Sequence, residues 1–411
     1  MKLSKPNTNI QGAAHLPASK SESNRALIIE ALLSEKHLVG NVSKAADTQT
    51  LVRILKEFRE GNVEFDVGPA GTTMRFLTAF FSVQKGRQTL TGSERMKQRP
   101  ISILVDALRT LGASVDYVKK EGYPPVKINE SQLVSNEIEI DGGVSSQYIS
   151  ALMLIAPTLT GGLEIKIFND LVSGPYLEMT ASIIRHFGGE VMFSQSSIRI
   201  SPKKYNSVSF SVESDWSAAS YWYEIVAFSD TAEIELKGLK KDSLQGDSIV
   251  VEIFKNFGVE TNFTTGNVIL KKVDVALPAL FEYDFTLCPD LAQTIAVTCV
   301  GLGVEAKLTG LKTLKIKETD RIVALQNELR KFGVQTEGGE SWLKIQAIKL
   351  STFNLELSTP VETYEDHRMA MAFAPLALKC GVLEIENPEV VEKSYPSFWK
   401  DLEQVGFLIE K

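Results

Sequence analysis

The sequence predicts a mixed α/β (α+β) protein of two domains, and three observations carry that prediction. A chain of 411 residues is too long for one ordinary core, which puts the domain count at two or three. Five helix-like segments end alike, on an apolar residue followed by glycine, with another apolar residue one turn earlier. They are Leu108 and Leu111 before Gly112, Ile184 and Phe187 before Gly188, Phe254 and Phe257 before Gly258, Leu329 and Phe332 before Gly333, and Leu402 and Val405 before Gly406. Those glycines lie 76, 70, 75 and 73 residues apart. After most of them come two alternating segments around a polar turn, such as 191–193 with 197–200, or 259–263 with 267–270. Apolar positions at that spacing line one helix face, and glycine supplies the left-handed turn that ends the helix. Each unit therefore reads as helix, strand, turn, strand.

A sixth, less regular unit fits at the start, where Phe58-Arg-Glu-Gly61 precedes Val63-Glu-Phe-Asp-Val67. Units of this size are too large for a solenoid, so three per globular domain is the natural division. The switch between domains is expected in the polar stretch 211–216.

Composition narrows the class. With 44% hydrophobic and 23% charged residues, the chain reads as a soluble globular protein, without the bias of a disordered or membrane-spanning one. No run of 18 apolar residues occurs, and Met1-Lys-Leu-Ser-Lys-Pro-Asn7 lacks the apolar core of a signal peptide. Cys288, Cys299 and Cys380 are too few and too scattered for a disulfide framework or a Cys-based metal site. A cytoplasmic enzyme is the simplest expectation. The net charge of −7 argues against a nucleic-acid surface, whose affinity comes from clustered Lys and Arg. An anionic ligand must then be met by local cations. The four histidines, His15, His37, His186 and His367, include no pair at the spacing of a helical metal site, and no metal is expected.

Local cations do gather, segment by segment. Leu16-Pro-Ala-Ser-Lys-Ser-Glu-Ser-Asn-Arg25 packs Lys20, Arg25, hydroxyls and an amide before the helix expected over 25–33, with Ser21 or Ser23 as a plausible N-cap. Free N–H groups at such an end, with the two cations, hold a phosphate or carboxylate. Gly68-Pro-Ala-Gly-Thr-Thr-Met-Arg75 is a small-residue loop opening the helix through 76–81. It is not a Walker loop, because no Gly-Lys-Ser/Thr follows at the required spacing. Ser145-Ser-Gln147 offers hydroxyls and an amide at the start of the apolar run 148–155. Lys317-Glu-Thr-Asp-Arg321 sets two cations, two carboxylates and a hydroxyl at the entry of a helix over 322–332. Cations there oppose the helix dipole, and an anionic ligand would explain them. Tyr364-Glu-Asp-His-Arg-Met-Ala-Met371 repeats the theme with His367 and Arg368.

Together these segments resemble the 5-enolpyruvylshikimate-3-phosphate (EPSP) synthase family of the enolpyruvyl transferases. The resemblance covers nearly the whole chain. It rests on 16–25, Ala70-Gly-Thr-Thr-Met-Arg75, Met96-Lys-Gln-Arg-Pro100, Ser145-Ser-Gln147, Val172-Ser-Gly-Pro-Tyr176, Pro289-Asp290, Lys317 to Arg321, Asp366-His-Arg-Met-Ala-Met371 and Lys393, all in family order. It implies two domains of three βαβαββ-type units, with helices inside and sheets outside, and an active site in the cleft between them. It also implies that the chain crosses twice, giving 1–19 with 213–411 as one domain and 20–212 as the other.

The reaction implied joins shikimate 3-phosphate to phosphoenolpyruvate and releases phosphate, by addition and then elimination, without a cofactor or metal. By position in the family, Lys20, Gly71, Arg99, Gln147, Arg321, Arg368 and Lys393 are expected at phosphoenolpyruvate. Ser21, Arg25, Ser145, Ser146, Gln147, Ser173, Tyr176, Asp290, Thr313 and Lys317 are expected at shikimate 3-phosphate. Asp290 is implied as the base toward the ring hydroxyl, Glu318 with Lys20 as the proton-transfer pair at the enol carbon, and His367 as a support for Glu318. The protein is expected to be a monomer with no nucleic-acid or membrane partner, and the resemblance makes it a target of glyphosate.

Four positions depart from the commoner family pattern: Pro69 for Asn, Phe76 for Pro, Thr313 for Asn and Ala18 for Gly. None removes a charged group. The nearest rival, the UDP-N-acetylglucosamine enolpyruvyl transferases, carries a Cys in a mobile loop, and the comparable Ser93-Glu-Arg-Met-Lys-Gln-Arg99 has none. A catalytically silent metabolite-binding protein is the other alternative. It would have no need of Asp290, Glu318 and Lys20 together, since anion binding calls for cations alone.

Overall fold

A computed structural model describes residues 1–33, 37–143, 145–169, 174–348 and 360–410. They form two compact units, Met1–Pro17 with Glu213–Lys411, and Ala18–Val212. The second is inserted into the first after its opening strands, and Ala18 and Ser19 cluster with the inserted unit.

One motif recurs in both units. In the inserted unit, strand Glu64–Asp66 leads through helix Gly71–Ser82 to the parallel strand Arg87–Thr91. Helix Ser102–Leu111 then leads to the antiparallel strands Ser114–Tyr117 and Val126–Asn129. The helix between the parallel strands is the crossover that parallel pairing needs. Glu137–Asp141 opens a second copy, with Leu163–Phe168 parallel to it and Val191–Phe193 and Ser197–Ile200 antiparallel. In the first unit, Leu280–Asp284 opens the same pattern with Glu305–Thr309, Thr336–Gly338 and Leu343–Ile345. Asn9–His15 opens another, which resumes beyond the insertion with helix Trp216–Phe228, then Thr231–Lys237, Val259–Thr264 and Asn267–Lys272. Smaller sets complete each unit: Lys2–Ser4 between Val382–Glu384 and Leu408–Glu410, and Val39–Gly40 beside Phe210–Ser211.

The sequence pattern explains these elements. The five glycines that end the repeated helices have φ of 109° (Gly112), 87° (Gly188), 75° (Gly258), 74° (Gly333) and 89° (Gly406), a region where a Cβ would be strained. The first helix of each motif is buried on nearly every side: eleven of the twelve residues in Gly71–Ser82 and twelve of the thirteen in Trp216–Phe228. The second is amphipathic, as in Arg321–Lys331, which buries Ile322, Leu325 and Leu329 along one face. Strands alternate buried and exposed residues, as in Glu137–Asp141, so the sheets keep one face on the core and one in water.

The expected start of the first helix needs correction. It runs Lys20–Leu32, and the N-cap is Ser19, whose hydroxyl accepts from the Glu22 N–H at 3.4 Å. Ser21 and Ser23 lie inside the helix, and the Ser23 hydroxyl accepts instead from the Ser43 N–H at 3.0 Å. A helix buried all round shows no amphipathic stripe, so periodicity alone does not mark its first turn.

One buried acid carries a stability prediction. Glu224 lies within Trp216–Phe228, fully out of solvent, and burial pushes its carboxyl well above the usual range, against a smaller opposing effect of the Thr298 hydroxyl. The folded state therefore keeps a proton that the unfolded chain releases above about pH 4.3, and stability falls as pH rises from there. Glu224→Gln removes the penalty. Its melting midpoint is expected to exceed that of the parent at pH 8, by about 2–4 °C for each kcal/mol recovered, and to match it near pH 4. A variant less stable than the parent at pH 8 would overturn this account.

Candidate active site

Several of the inner helices carry charged or polar residues at or just before their N-terminal ends. In the first unit three such ends meet through side chains. Asp290 lies in the turn Pro289–Leu291 before helix Ala292–Leu302, Arg368 in the first turn of His367–Phe373, and Ser217 in the first turn of Trp216–Phe228. Arg368 Nη2 lies 3.0 Å from Asp290 Oδ2 and donates to Ser217 Oγ at 3.4 Å, while Nη1 donates to the Tyr221 hydroxyl and the Asp290 carbonyl, both at 3.4 Å.

Arg321, at the start of an outer helix capped by Asp320, is the hub of this half. Its Nε donates to Asp366 Oδ2 at 2.7 Å, its Nη1 to Asp290 Oδ1 at 3.0 Å and its Nη2 to Glu318 Oε2 at 3.1 Å. Burial alone lowers the pKa of this guanidinium, and Asp366, Glu318 and Asp290 more than reverse the effect. Lys393 Nζ reaches Glu318 Oε1 at 2.8 Å, and Lys317 Nζ is 3.6 Å from Asp290 Oδ1. Burial lowers the Lys317 pKa, with Asp290 pulling the other way. His367 is buried, with Nδ1 3.7 Å from Asp366 Oδ1. The cations at this helix entry, which the sequence alone would pair with a ligand, are thus already met by carboxylates of the chain.

The inserted unit carries a second constellation. Lys20, the first residue of its helix, donates to Asp47 Oδ2 at 3.2 Å. Arg25 is buried and points four N–H groups at neutral acceptors: Thr180 Oγ1 at 2.7 Å, the Ser21 carbonyl at 2.9 Å, Ser150 Oγ at 3.2 Å and the Tyr176 carbonyl at 3.4 Å. Burial brings its pKa down to about 10. Its guanidinium carbon stands 5.4 Å from the centre of the Phe76 ring and 5.8 Å from that of Tyr176, a favourable setting for a desolvated cation. Phe76, one of the departures from the family pattern, thus shelters Arg25.

At the start of helix Gly71–Ser82, a Cβ added to Gly71 would stand 2.7 Å from Arg99 Nη1 and 2.9 Å from Arg75 Nη1. Two guanidinium ends therefore lie against a glycine. Arg75 Nη1 also donates to the Gly71 carbonyl at 2.9 Å and to Gln147 Oε1 at 3.2 Å. Ser145 caps the helix Ser146–Ile155, its hydroxyl accepting from the Gln147 N–H at 3.4 Å.

The structure brings Asp290, Lys317, Glu318, Arg321, His367, Arg368 and Lys393 into one cluster, sets Arg99 against Gly71, and joins Gly71 to Gln147 through Arg75. Thr313 is half-buried, and its hydroxyl meets no hydrogen-bond partner among the described residues. Ser173, expected at shikimate 3-phosphate, lies outside the described residues. Asp47, Arg75, Ser217, Asp247 and Asp366 received no role from the sequence, although Arg75 and Asp366 sit inside the segments that carry the resemblance. Asp366 was legible as a residue directly before a helix. For Asp47 and Asp247 the sequence has no signal beyond an acid in the first turn of a helix.

Among the described residues no group of three or more His, Cys, Asp and Glu is placed to hold a metal ion, and no helix is long and apolar enough to cross a membrane. The family model described as EPSP synthase (3-phosphoshikimate 1-carboxyvinyltransferase) matches residues 4–66 and 58–402. A Bacteroides fragilis 3-phosphoshikimate 1-carboxyvinyltransferase is 47% identical over 410 residues, covering 99% of this chain and 98% of its own. A Haemophilus influenzae protein of the same name is 33% identical, covering 97% and 98%. The solved structure of EPSP synthase from Acinetobacter baumannii shares the fold, with a TM-score of 0.75 at 21% identity over 100% of both chains. With a family model matching nearly all of its length and full-length relatives at 47% and 33% identity, the chain belongs to the EPSP synthase (3-phosphoshikimate 1-carboxyvinyltransferase) family.

Proposed function

We infer that this protein transfers the enolpyruvyl group of phosphoenolpyruvate to the 5-hydroxyl of shikimate 3-phosphate, releasing phosphate, and that the two constellations divide the work. The product serves the shikimate pathway toward chorismate and the aromatic amino acids. The observation that carries the assignment of roles is the sharing of Arg321 by Asp290 and Glu318, at 3.0 and 3.1 Å. Addition across the enol bond needs a group that takes the hydroxyl proton and another that delivers one to the methylene carbon. Two carboxylates on opposite nitrogens of one cation meet that need, whereas an anion-binding site has no use for them.

Asp290 is then the base, and Glu318 with Lys20 moves the proton at the carbon, with His367 in support. Phosphoenolpyruvate draws on Lys20, Arg99, Arg321, Arg368 and Lys393, with the Gly71 backbone and Gln147. Arginine's planar fork suits its carboxylate and phosphate. Shikimate 3-phosphate takes Ser21, Arg25, Ser145, Ser146, Gln147, Ser173 and Tyr176, with Asp290, Thr313 and Lys317 toward the ring. The Thr313 hydroxyl is buried with no hydrogen-bond partner among the described residues, and Arg25 has one N–H beyond the four already placed. When the anions bind, Arg321 and Arg368 exchange part of their contact with Asp290 and Glu318 for the ligand, which leaves both carboxylates better proton acceptors.

The test is phosphate release from phosphoenolpyruvate with shikimate 3-phosphate or UDP-N-acetylglucosamine as acceptor. Release with the first alone is expected, and release with the sugar nucleotide alone would overturn the reading. One chain carries every residue invoked, so sizing under assay conditions is expected to give about the 45.3 kDa of a single copy. Free thiols at Cys288, Cys299 and Cys380 suit a reducing cytoplasm.

Gly71 gives a specific prediction. A methyl group there must push back the Arg99 and Arg75 guanidinium ends and narrow the space that phosphoenolpyruvate and glyphosate are proposed to share. The longer inhibitor has less room to adjust. Gly71→Ala is therefore expected to raise the inhibition constant for glyphosate by a larger factor than the KM for phosphoenolpyruvate. Equal factors would refute the shared, size-limited pocket.

A further inference from the structure

Asp247 is a carboxylate that neither the fold nor the reaction as described accounts for. It lies in the turn Gly246–Ile249 and is only 3% exposed. Its Oδ2 accepts from the Ser217 hydroxyl, while its Oδ1 is buried with no hydrogen-bond partner among the described residues. Ser217 in turn accepts from Arg368 Nη2 at 3.4 Å, the nitrogen that lies 3.0 Å from Asp290 Oδ2. A hydroxyl has one hydrogen to give. Because Ser217 spends it on Asp247, its lone pairs face the guanidinium.

We propose that Asp247 is a positioning residue for the reaction, acting through Ser217 on Arg368, and that phosphoenolpyruvate binding is linked to the uptake of a proton by Asp247. The inference rests on the reading that Arg368 holds phosphoenolpyruvate. Without ligand, Arg368 offsets two acidic side chains, Asp290 directly and Asp247 across Ser217. An anionic ligand on Arg368 takes up part of that positive charge, and a dry carboxylate behind it is then better neutral. The proton comes from solvent and settles on the carboxylate.

The surroundings support this arrangement. Burial raises the Asp247 pKa to about 7, with Asp290 adding to the rise, Arg368 and the Ser217 hydroxyl opposing it, and Asp215 contributing a smaller upward push. Cys288 is the other titratable neighbour, and its thiol is pushed up to about 12, so it stays neutral through the range that matters. An acid raised in this way is neutral below about pH 7 and charged above it, so the ligand's advantage fades as pH rises.

The experiment is the KM for phosphoenolpyruvate from pH 6 to 9 in the parent, Asp247→Asn, Asp247→Ala and Arg368→Gln, with the KM for shikimate 3-phosphate measured alongside. Titration of phosphoenolpyruvate itself is common to all and cancels in ratios. Asp247→Asn keeps an acceptor for Ser217 but carries no charge. The ratio of parent to Asn-variant KM is expected to climb about tenfold across the range for each pKa unit of coupling. Asp247→Ala, which releases Ser217, is expected to raise the KM for phosphoenolpyruvate about tenfold at every pH, with a much smaller change for shikimate 3-phosphate.

A ratio that stays flat, or equal shifts for both substrates, overturns the proposal. If Arg368→Gln raises the KM for phosphoenolpyruvate while the Asp247 variants match the parent, the proposal fails and the reading of Arg368 stands. If Arg368→Gln leaves that KM unchanged, both fall. Should Asp247→Ala fold poorly, the conservative Asn variant still decides through its pH profile.

Discussion

Asp290→Asn is expected to lower kcat by about 10²-fold or more, the usual scale for losing a general base, while the KM for shikimate 3-phosphate changes far less. The substitution keeps size and one acceptor oxygen and removes charge and basicity. The charge matters beyond proton transfer, because Asp290 lies within 3.6 Å of Lys317, 3.0 Å of Arg321 and 3.0 Å of Arg368. An amide neutralises none of them. Those three cations then lose an internal competitor for an anionic ligand, so the KM for phosphoenolpyruvate is expected to hold or fall even as turnover collapses. Falling kcat with a steady or lower KM marks an interaction needed in the transition state and not for ground-state binding. A raised KM for shikimate 3-phosphate with kcat intact at saturation would mean that Asp290 only positions the ring, and the proton would have to go to Lys20 or Glu318.

How much of this was legible beforehand follows from what a one-dimensional pattern records. The glycine-terminated helices and the strand pairs after them are local features. Strands at 191–193 and 197–200 fall where alternation placed them, and 259–263 with 267–270 lie within Val259–Thr264 and Asn267–Lys272. The cation-bearing segments were likewise visible, because Lys and Arg at helix entries break a local rule of charge placement. What stayed hidden is which carboxylates answer them. Asp47 meets Lys20, and Asp366 meets Arg321, across 27 and 45 residues of chain, and an acid at such a distance looks like any solvated acid. The same holds for the Ser19 cap and for Ser150 and Thr180 beneath Arg25, whose partners are set by helix packing and not by spacing.

Arg321→Met is expected to be the most damaging single change for stability, because it removes one cation from three carboxylates that differ in their access to water. The side chains of Asp290 and Glu318 are 15% and 13% exposed and keep other cations, Arg368 and Lys317 for the first and Lys393 for the second. Asp366 is fully buried, and Arg321 reaches both its oxygens, from Nε at 2.7 Å and from Nη2 at 3.2 Å. The cost therefore concentrates at Asp366, which keeps the Arg368 N–H on its Oδ1 at 2.9 Å but loses its ion pair, and breaking a buried ion pair costs about 3–5 kcal/mol. Arg321→Lys is expected to lose less stability, since one ammonium satisfies Asp366 in part, yet to lose activity as well, since it cannot hold Asp290 and Glu318 at once. Urea denaturation of the three proteins measures the order. If Arg321→Met unfolds at the parental midpoint, Asp366 has found water or another donor, and the hub orients the two reacting carboxylates without holding the fold. Reduced stability in both variants with wild-type turnover in Arg321→Lys would reverse that assignment, because a lone ammonium would then have done all that the reaction asks of the fork.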